Sequence, residues 1–284
     1  MKKIGFIDYY ISEWHANNYP AWVKERSANV GEDFEVAYAW AEVDVGERDG
    51  VTTDQWCEKF NCEKCASIAE LCKKSDYIML LSPSNPEKHL EYAEEAFKNC
   101  DGKRMYIDKT FAPDSDTAKK IYDLSVKYGV EFFTTSALRY ADELKGYKNV
   151  KSAFITGGGR NCPEYIIHQI EMCVKTMGAG ATKIKMNVDA EGTNVFEIAY
   201  KDGRTAKLNY NPEFSFGAKI DDGKEVKQYE IGEGFFPNLI EGILRFFNGE
   251  PVPFSFDETM EVMKIREALI IALENENVWV DLKC

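Results

Sequence analysis

The stretch KIGFIDYYISEWHANNYPAWV, Lys3 to Val23, decides how the rest of the chain is read. An apolar run from Ile4 to Ile7 breaks into polar residues, and Pro20 marks the start expected of a helix. A strand, a loop and a helix in that order are how nucleotide-binding domains open. The loop from Asp8 to Asn18 contains no glycine, although glycines are what let a pyrophosphate come within reach of backbone N–H groups.

Outward from this stretch, short apolar runs alternate with amphipathic segments. The expected strands are KIGFI, FEVAYAW (Phe34 to Trp40), YIMLLS (Tyr77 to Ser82), RMYID (Arg104 to Asp108) and VEFFTTSA (Val130 to Ala137). Between them, NPEKHLEYAEEAFKN offers Pro86 at a first helical position and Leu90, Ala93 and Phe97 at helical spacing. This half reads as a Rossmann-like, doubly wound parallel sheet, residues 1–138. After Arg139 the texture changes. One amphipathic segment, EYIIHQIEMCVKTMG, ends at Gly178. Alternating runs follow (TKIKMNVDA, NVFEIAYKD, RTAKLNYN, KEVKQYEI), with Asp202-Gly203 and Asp222-Gly223 as hairpin turns. Two helical segments, FPNLIEGILRFFNG and DETMEVMKIREALIIALEN, and the run VWVDL close the chain. Residues 139–284 therefore read as an α+β domain with an open, largely antiparallel sheet, for an α/β fold overall.

Length and composition narrow the function. At 284 residues, with 44% hydrophobic and 13% aromatic residues, the chain can build two cores. Its 48 acidic against 35 basic residues leave a net charge of −13, which repels nucleic acid and an anionic membrane surface. No apolar run reaches the ~20 residues of a membrane span, and the run after Lys2 and Lys3 is too short for a signal segment. A cytoplasmic location is expected. Of eight cysteines, four fall in CEKFNCEKCASIAELC, Cys57 to Cys72; they read as reduced thiols on apolar helix faces rather than a metal site.

Two places could carry chemistry. Lys109 follows an expected parallel strand, at the carboxyl end where such sheets place ligands, and can donate to a substrate hydroxyl. A surface lysine at a strand end fits the same position. Glu164, His168 and Glu171 recur at offsets of four and three on one helix, so they project to one side. A carboxylate near an imidazole fixes its tautomer and raises its basicity, as acid–base catalysis requires, but a structural histidine with acidic neighbours has the same pattern.

The run SDYIMLLSPSNPEKHLEYAEEAF and, after it, GKRMYIDKTFAPDSDTAKKIYDLSVKYGVEFFTTSALRY resemble the first domain of the Gfo/Idh/MocA oxidoreductases, with DKT in place of Glu-Lys-Pro. EYIIHQIE is similar to the family's Asp-x-x-x-His-x-x-Asp helix, and the closing helices resemble its C-terminal pattern. The resemblance implies hydride transfer between NAD or NADP and a sugar, polyol or similar polyhydroxylated substrate. It implies Lys109 and His168 as catalytic residues, converging in one cleft. Glu164, orienting His168 or the substrate, and Arg139 would bind substrate; Asp8, Tyr10, Ile11, Pro83, His89 and Asp108 would contact cofactor. A homo-oligomer through the second sheet is also implied. The opening loop departs from the family: Asp8, Tyr10 and Glu13 stand at its glycine positions and His15 at its histidine. The acid expected to hold a ribose falls late, at Glu42 or Asp44. Dinucleotide binding weaker than in the family, or through a displaced loop, follows from that departure. A family member without redox activity, serving as a ligand-binding or regulatory protein, is the alternative.

Overall fold

In a computed structural model, which describes residues 1–283, strand β1 (Lys2–Asp8) is buried from Ile4 onward on both faces, as a central parallel strand requires. Cys284, counted among the cysteines above, lies outside the described residues. The glycine of this strand, Gly5, serves packing: a Cβ there would fall on Ser75 Oγ and Leu71 Cδ2.

The chain continues through α1 (Trp14–Val30), β2 (Phe34–Ala41), α2 (Thr53–Phe60), β3 (Glu63–Lys64), α3 (Ile68–Lys74) and β4 (Tyr77–Leu80). Then come α4 (His89–Asn99), β5 (Met105–Asp108), α5 (Ser115–Tyr128) and β6 (Phe132–Thr135). The six strands are parallel, in the order β3-β2-β1-β4-β5-β6. That is the doubly wound order, with its reversal between β1 and β4, where such sheets bind ligands outside the carboxyl ends of the strands.

The first helix begins at Trp14, with Pro20 in its interior rather than at its start. Glu13, extended at φ −130° and ψ 172°, caps the helix with its side chain, so the first turn is satisfied before the proline is reached. Pro20 has no N–H to give to Ala16.

The second unit comprises Ser136–Asn238 and Ser255–Cys284, and the first comprises Met1–Thr135 with Leu239–Phe254. The second holds β7 (Ser152–Gly157), α6 (Cys162–Met177), β8 (Ala181–Val188), β9 (Asn194–Tyr200), β10 (Thr205–Tyr210), β11 (Gly217–Asp221) and β12 (Val226–Glu230). Helix α7 (Phe235–Phe247) follows, then α8 (Phe256–Leu273) and β13 (Trp279–Asp281). The sheet order is β12-β11-β7-β10-β9-β8-β13, antiparallel except where β10 runs parallel to β7. Gly203 and Gly223 adopt φ of +85° and +87° at the two Asp-Gly turns. Ile155, Ile184, Phe196, Ile198 and Leu208 on one sheet face pack with Ile170 of α6 and Leu269 of α8.

From Leu239 onward α7 belongs to the first unit, although its sequence follows the second sheet. Phe247 stacks on Tyr77 at 4.7 Å and 8°, and Phe246 and Phe254 meet the Phe133 ring edge-on at 5.2 and 5.8 Å. Arg104 donates to the carbonyls of Phe246 and Glu250. No helix among the described residues is long and apolar enough to cross a membrane.

Candidate active site

At the carboxyl edge of the parallel sheet, the ends of β1, β4 and β5 bring together Asp8, Ser82, Asp108 and Lys109. Asp8 is buried; its Oδ1 accepts from the N–H of Tyr9 at 2.7 Å and of Ser82 at 3.2 Å, while Oδ2 has no hydrogen-bond partner. Burial, with the charge of Glu13 behind it, holds this carboxyl well above its ordinary value. Ser82 takes a left-handed φ of +47°, and its hydroxyl also donates to Asp8 Oδ1 at 3.4 Å.

Glu13 lies over the first turn of α1. Its carboxylate accepts the N–H of His15 at 2.8 Å and of Ala16, and its Oε2 is 3.0 Å from His15 Nδ1. Burial works to raise this carboxyl, but the His15 charge and the backbone donors outweigh it and hold the group below its ordinary value. The far side of the His15 ring faces Asp108, Nε2 to Oδ2 at 3.8 Å. Asp108 Oδ1 accepts from Tyr106 Oη at 3.0 Å and from the Lys109 N–H at 2.9 Å. Lys109 Nζ donates to the Pro83 carbonyl at 3.3 Å, which ties the end of β5 to the loop after β4.

Of the remaining cofactor candidates, Tyr10, Ile11 and His89 are buried, whereas Glu42 and Asp44 are exposed. Tyr10 is 7% exposed and Ile11 1%, so neither side chain projects from the loop. His89 is fully buried, with Nδ1 3.0 Å from the Phe111 carbonyl and Nε2 2.9 Å from that of Leu81. Burial lowers its pKa against the pull of those carbonyls, and the ring acts as a clip between two loops. Of the two ribose candidates, Glu42 accepts from Lys88 at 2.8 Å and from Tyr92 Oη at 2.6 Å. Asp44 is drawn to Lys64 at 2.8 Å.

In the second unit, Asn161 caps α6 by accepting the Glu164 N–H at 2.9 Å. Glu164 is held by Arg160 and by Asn161 Nδ2 at 3.1 Å. The partner of His168 Nδ1 is Ser136 Oγ at 2.6 Å, and the imidazole lies 5.7 Å from the rings of both Tyr165 and Phe216. Glu171 accepts from the Ser136 N–H at 3.2 Å and from Arg139 Nη1 at 3.0 Å, and the other Arg139 nitrogen pairs with Glu258. Arg139 is thus a buried cation between two carboxylates, a network that is costly to break. Neither Glu13 as a cap nor Ser136 as the histidine's partner has a signal in sequence spacing. Among the described residues, no three His, Cys, Asp or Glu side chains are grouped as metal ligands.

No family model matches the chain, and no curated protein matches it. Solved structures do match over its whole length. A myo-inositol dehydrogenase from Lactobacillus casei in complex with NAD(H) and myo-inositol has a TM-score of 0.78 at 13% identity, covering 100% of this chain and 97% of that one. GenD2 from gentamicin A biosynthesis, in complex with NAD, has a TM-score of 0.76 at 10% identity, covering 100% and 97%. An NAD binding oxidoreductase from Klebsiella pneumoniae gives 0.74 at 12% identity, covering 100% and 99%. At such identities the likeness is one of fold. The two-sheet architecture implied by the resemblance to the Gfo/Idh/MocA oxidoreductases is the architecture of this chain.

Proposed function

We propose that this chain is an NAD(P)-dependent oxidoreductase of the Gfo/Idh/MocA type, acting on a sugar, polyol or similar polyhydroxylated substrate. What carries the reading is the carboxyl edge of the parallel sheet. There the N–H groups of His15 and Ala16 already hold an anion, the Glu13 carboxylate, and Lys109 lies at the end of β5 on the same edge. Glu13 is a stand-in for a phosphate group: a diphosphate offers the same kind of oxygen to the same donors once Glu13 has turned away, so the donor set fits a dinucleotide. His15 and Ala16 would hold the diphosphate and Glu42, at the end of β2, a ribose hydroxyl. The bound nicotinamide would supply the hydride acceptor or donor.

The chain's own residues handle the substrate. The Lys109 ammonium donates to the reacting hydroxyl and favours its ionised form, and His168 takes up or returns the proton. Glu164, half-exposed on the first turn of α6, contacts a second hydroxyl, while Ser136 rather than Glu164 orients the imidazole. We place the protein in the cytoplasm, on the reading of its irregularly spaced cysteines as reduced thiols. We also propose a homo-oligomer joined through the second sheet.

The test is absorbance at 340 nm with NAD⁺ and NADP⁺ over a panel of inositols, linear polyols and aldoses. Turnover with a panel member is expected, with kcat/KM lowered about 10²–10⁴-fold by Lys109→Ala or His168→Ala. Tight polyol binding without dinucleotide-dependent turnover would instead mark a non-redox ligand-binding protein.

A further inference from the structure

Short side chains such as Ser, Thr, Asp and Asn are the usual helix caps, because their oxygen reaches the second or third N–H without strain. Helix α1 is capped by a glutamate although a serine precedes it, and the Ser12 hydroxyl is instead committed to Asp49 at 2.7 Å. The Glu13 side chain is only 9% exposed and is held by three donors: the N–H groups of His15 and Ala16, and the His15 ring. That ring is itself fixed, packed edge-on against Trp14 at 5.3 Å and Tyr19 at 5.4 Å, with Asp108 on its far side.

Three residues stand at the family's glycine positions, and the geometry separates them. Tyr10 is buried, 7% exposed, and its ring meets that of Tyr9 edge-on at 5.9 Å. Asp8 is tied to the backbone of Tyr9 and Ser82, with its free oxygen buried. Glu13 alone sits on the donors. A diphosphate approaching α1 would meet a carboxylate that already fills their hydrogen-bonding capacity and carries the same sign of charge.

We propose that Glu13 is a built-in competitor for the dinucleotide: its carboxylate fills the anion seat of α1, cofactor binds only with Glu13 displaced, and this one residue sets cofactor affinity. The proposal rests on the reading above that the seat serves a dinucleotide. It makes Glu13, not the absence of glycine as such, the cause of the weaker dinucleotide binding expected of this loop.

The test is calorimetric titration of the full chain with NADH and NADPH, using wild type, Glu13→Ser and Glu13→Gln. Serine keeps a capping oxygen and removes the charged group; glutamine keeps the length and removes only the charge. The serine variant should bind at least about tenfold more tightly than wild type, a change of about 1.4 kcal/mol, with glutamine between them. Thermal melting checks folding, and if the serine variant is unfolded the comparison rests on glutamine, which should still exceed wild type. A folded variant no tighter than a wild type that binds either dinucleotide overturns the proposal and leaves the oxidoreductase reading standing. If none of the three proteins binds either dinucleotide, the proposal and the cofactor reading fall together.

Discussion

Asp8 ends β1 with one oxygen bonded to two backbone N–H groups and the other buried without a partner. Its carboxyl is raised by burial and by Glu13, so the folded state binds the proton more tightly than the unfolded chain does. The sign follows: Asp8 favours folding fully below the ordinary carboxylate pKa of about 3.9, and that contribution is lost as pH rises through the folded value. Asp8→Asn should therefore raise the unfolding midpoint at pH 7, with the gain shrinking as pH falls toward about 4. Melting curves across that range check it, and an equal or lower midpoint at pH 7 would count against the raised value. Residue by residue, the sequence pointed to the right elements more often than to the right partners. Helical spacing put Glu164, His168 and Glu171 on α6, but Glu164 turns to Arg160, and His168 meets Ser136, distant in sequence. No periodicity encodes a contact between residues 32 positions apart.

Among elements, the parallel strands and the Asp-Gly hairpins were legible because each rests on local chemistry: apolar runs in the one case, positive φ in the other. The start of α1 was not, since Pro20 is a strong local signal that the distal side chain of Glu13 overrides. Strand β7 was also missed; SAFITG alternates only partly and gains its place from β10 and β11 on either side. The second sheet has one face packed by α6 and α8, and the other carries Phe154, Val195, Ala199 and Lys207, which are half-exposed or exposed. The proposed oligomer would cover that face. Light scattering at micromolar concentration should give a multiple of the 32.4 kDa chain mass, and Phe154→Glu should shift the population to monomer. A monomeric wild type would sink the proposal.

In the whole molecule, the reading of the chain as 1–138 and 139–284 leaves Leu239–Phe254 with the second half, yet this segment packs into the first unit. A linear reading cannot see a chain return. The rings of Phe246, Phe247 and Phe254 cover Tyr77 and Phe133, so a 1–138 fragment would expose apolar surface that the full chain buries. That fragment should bind a hydrophobic dye and unfold without a cooperative transition, and fusing residues 239–254 to it through a flexible linker should restore cooperativity. A cooperative 1–138 fragment would show that the returning segment is dispensable. The same return sets a timetable during synthesis. Domains usually fold in the order they leave the ribosome, but here the N-terminal unit waits for residue 254, and the other for the helix that begins at Phe256. Both units would thus mature almost together, once α8 has emerged, and the first hundred residues would need protection from aggregation until then.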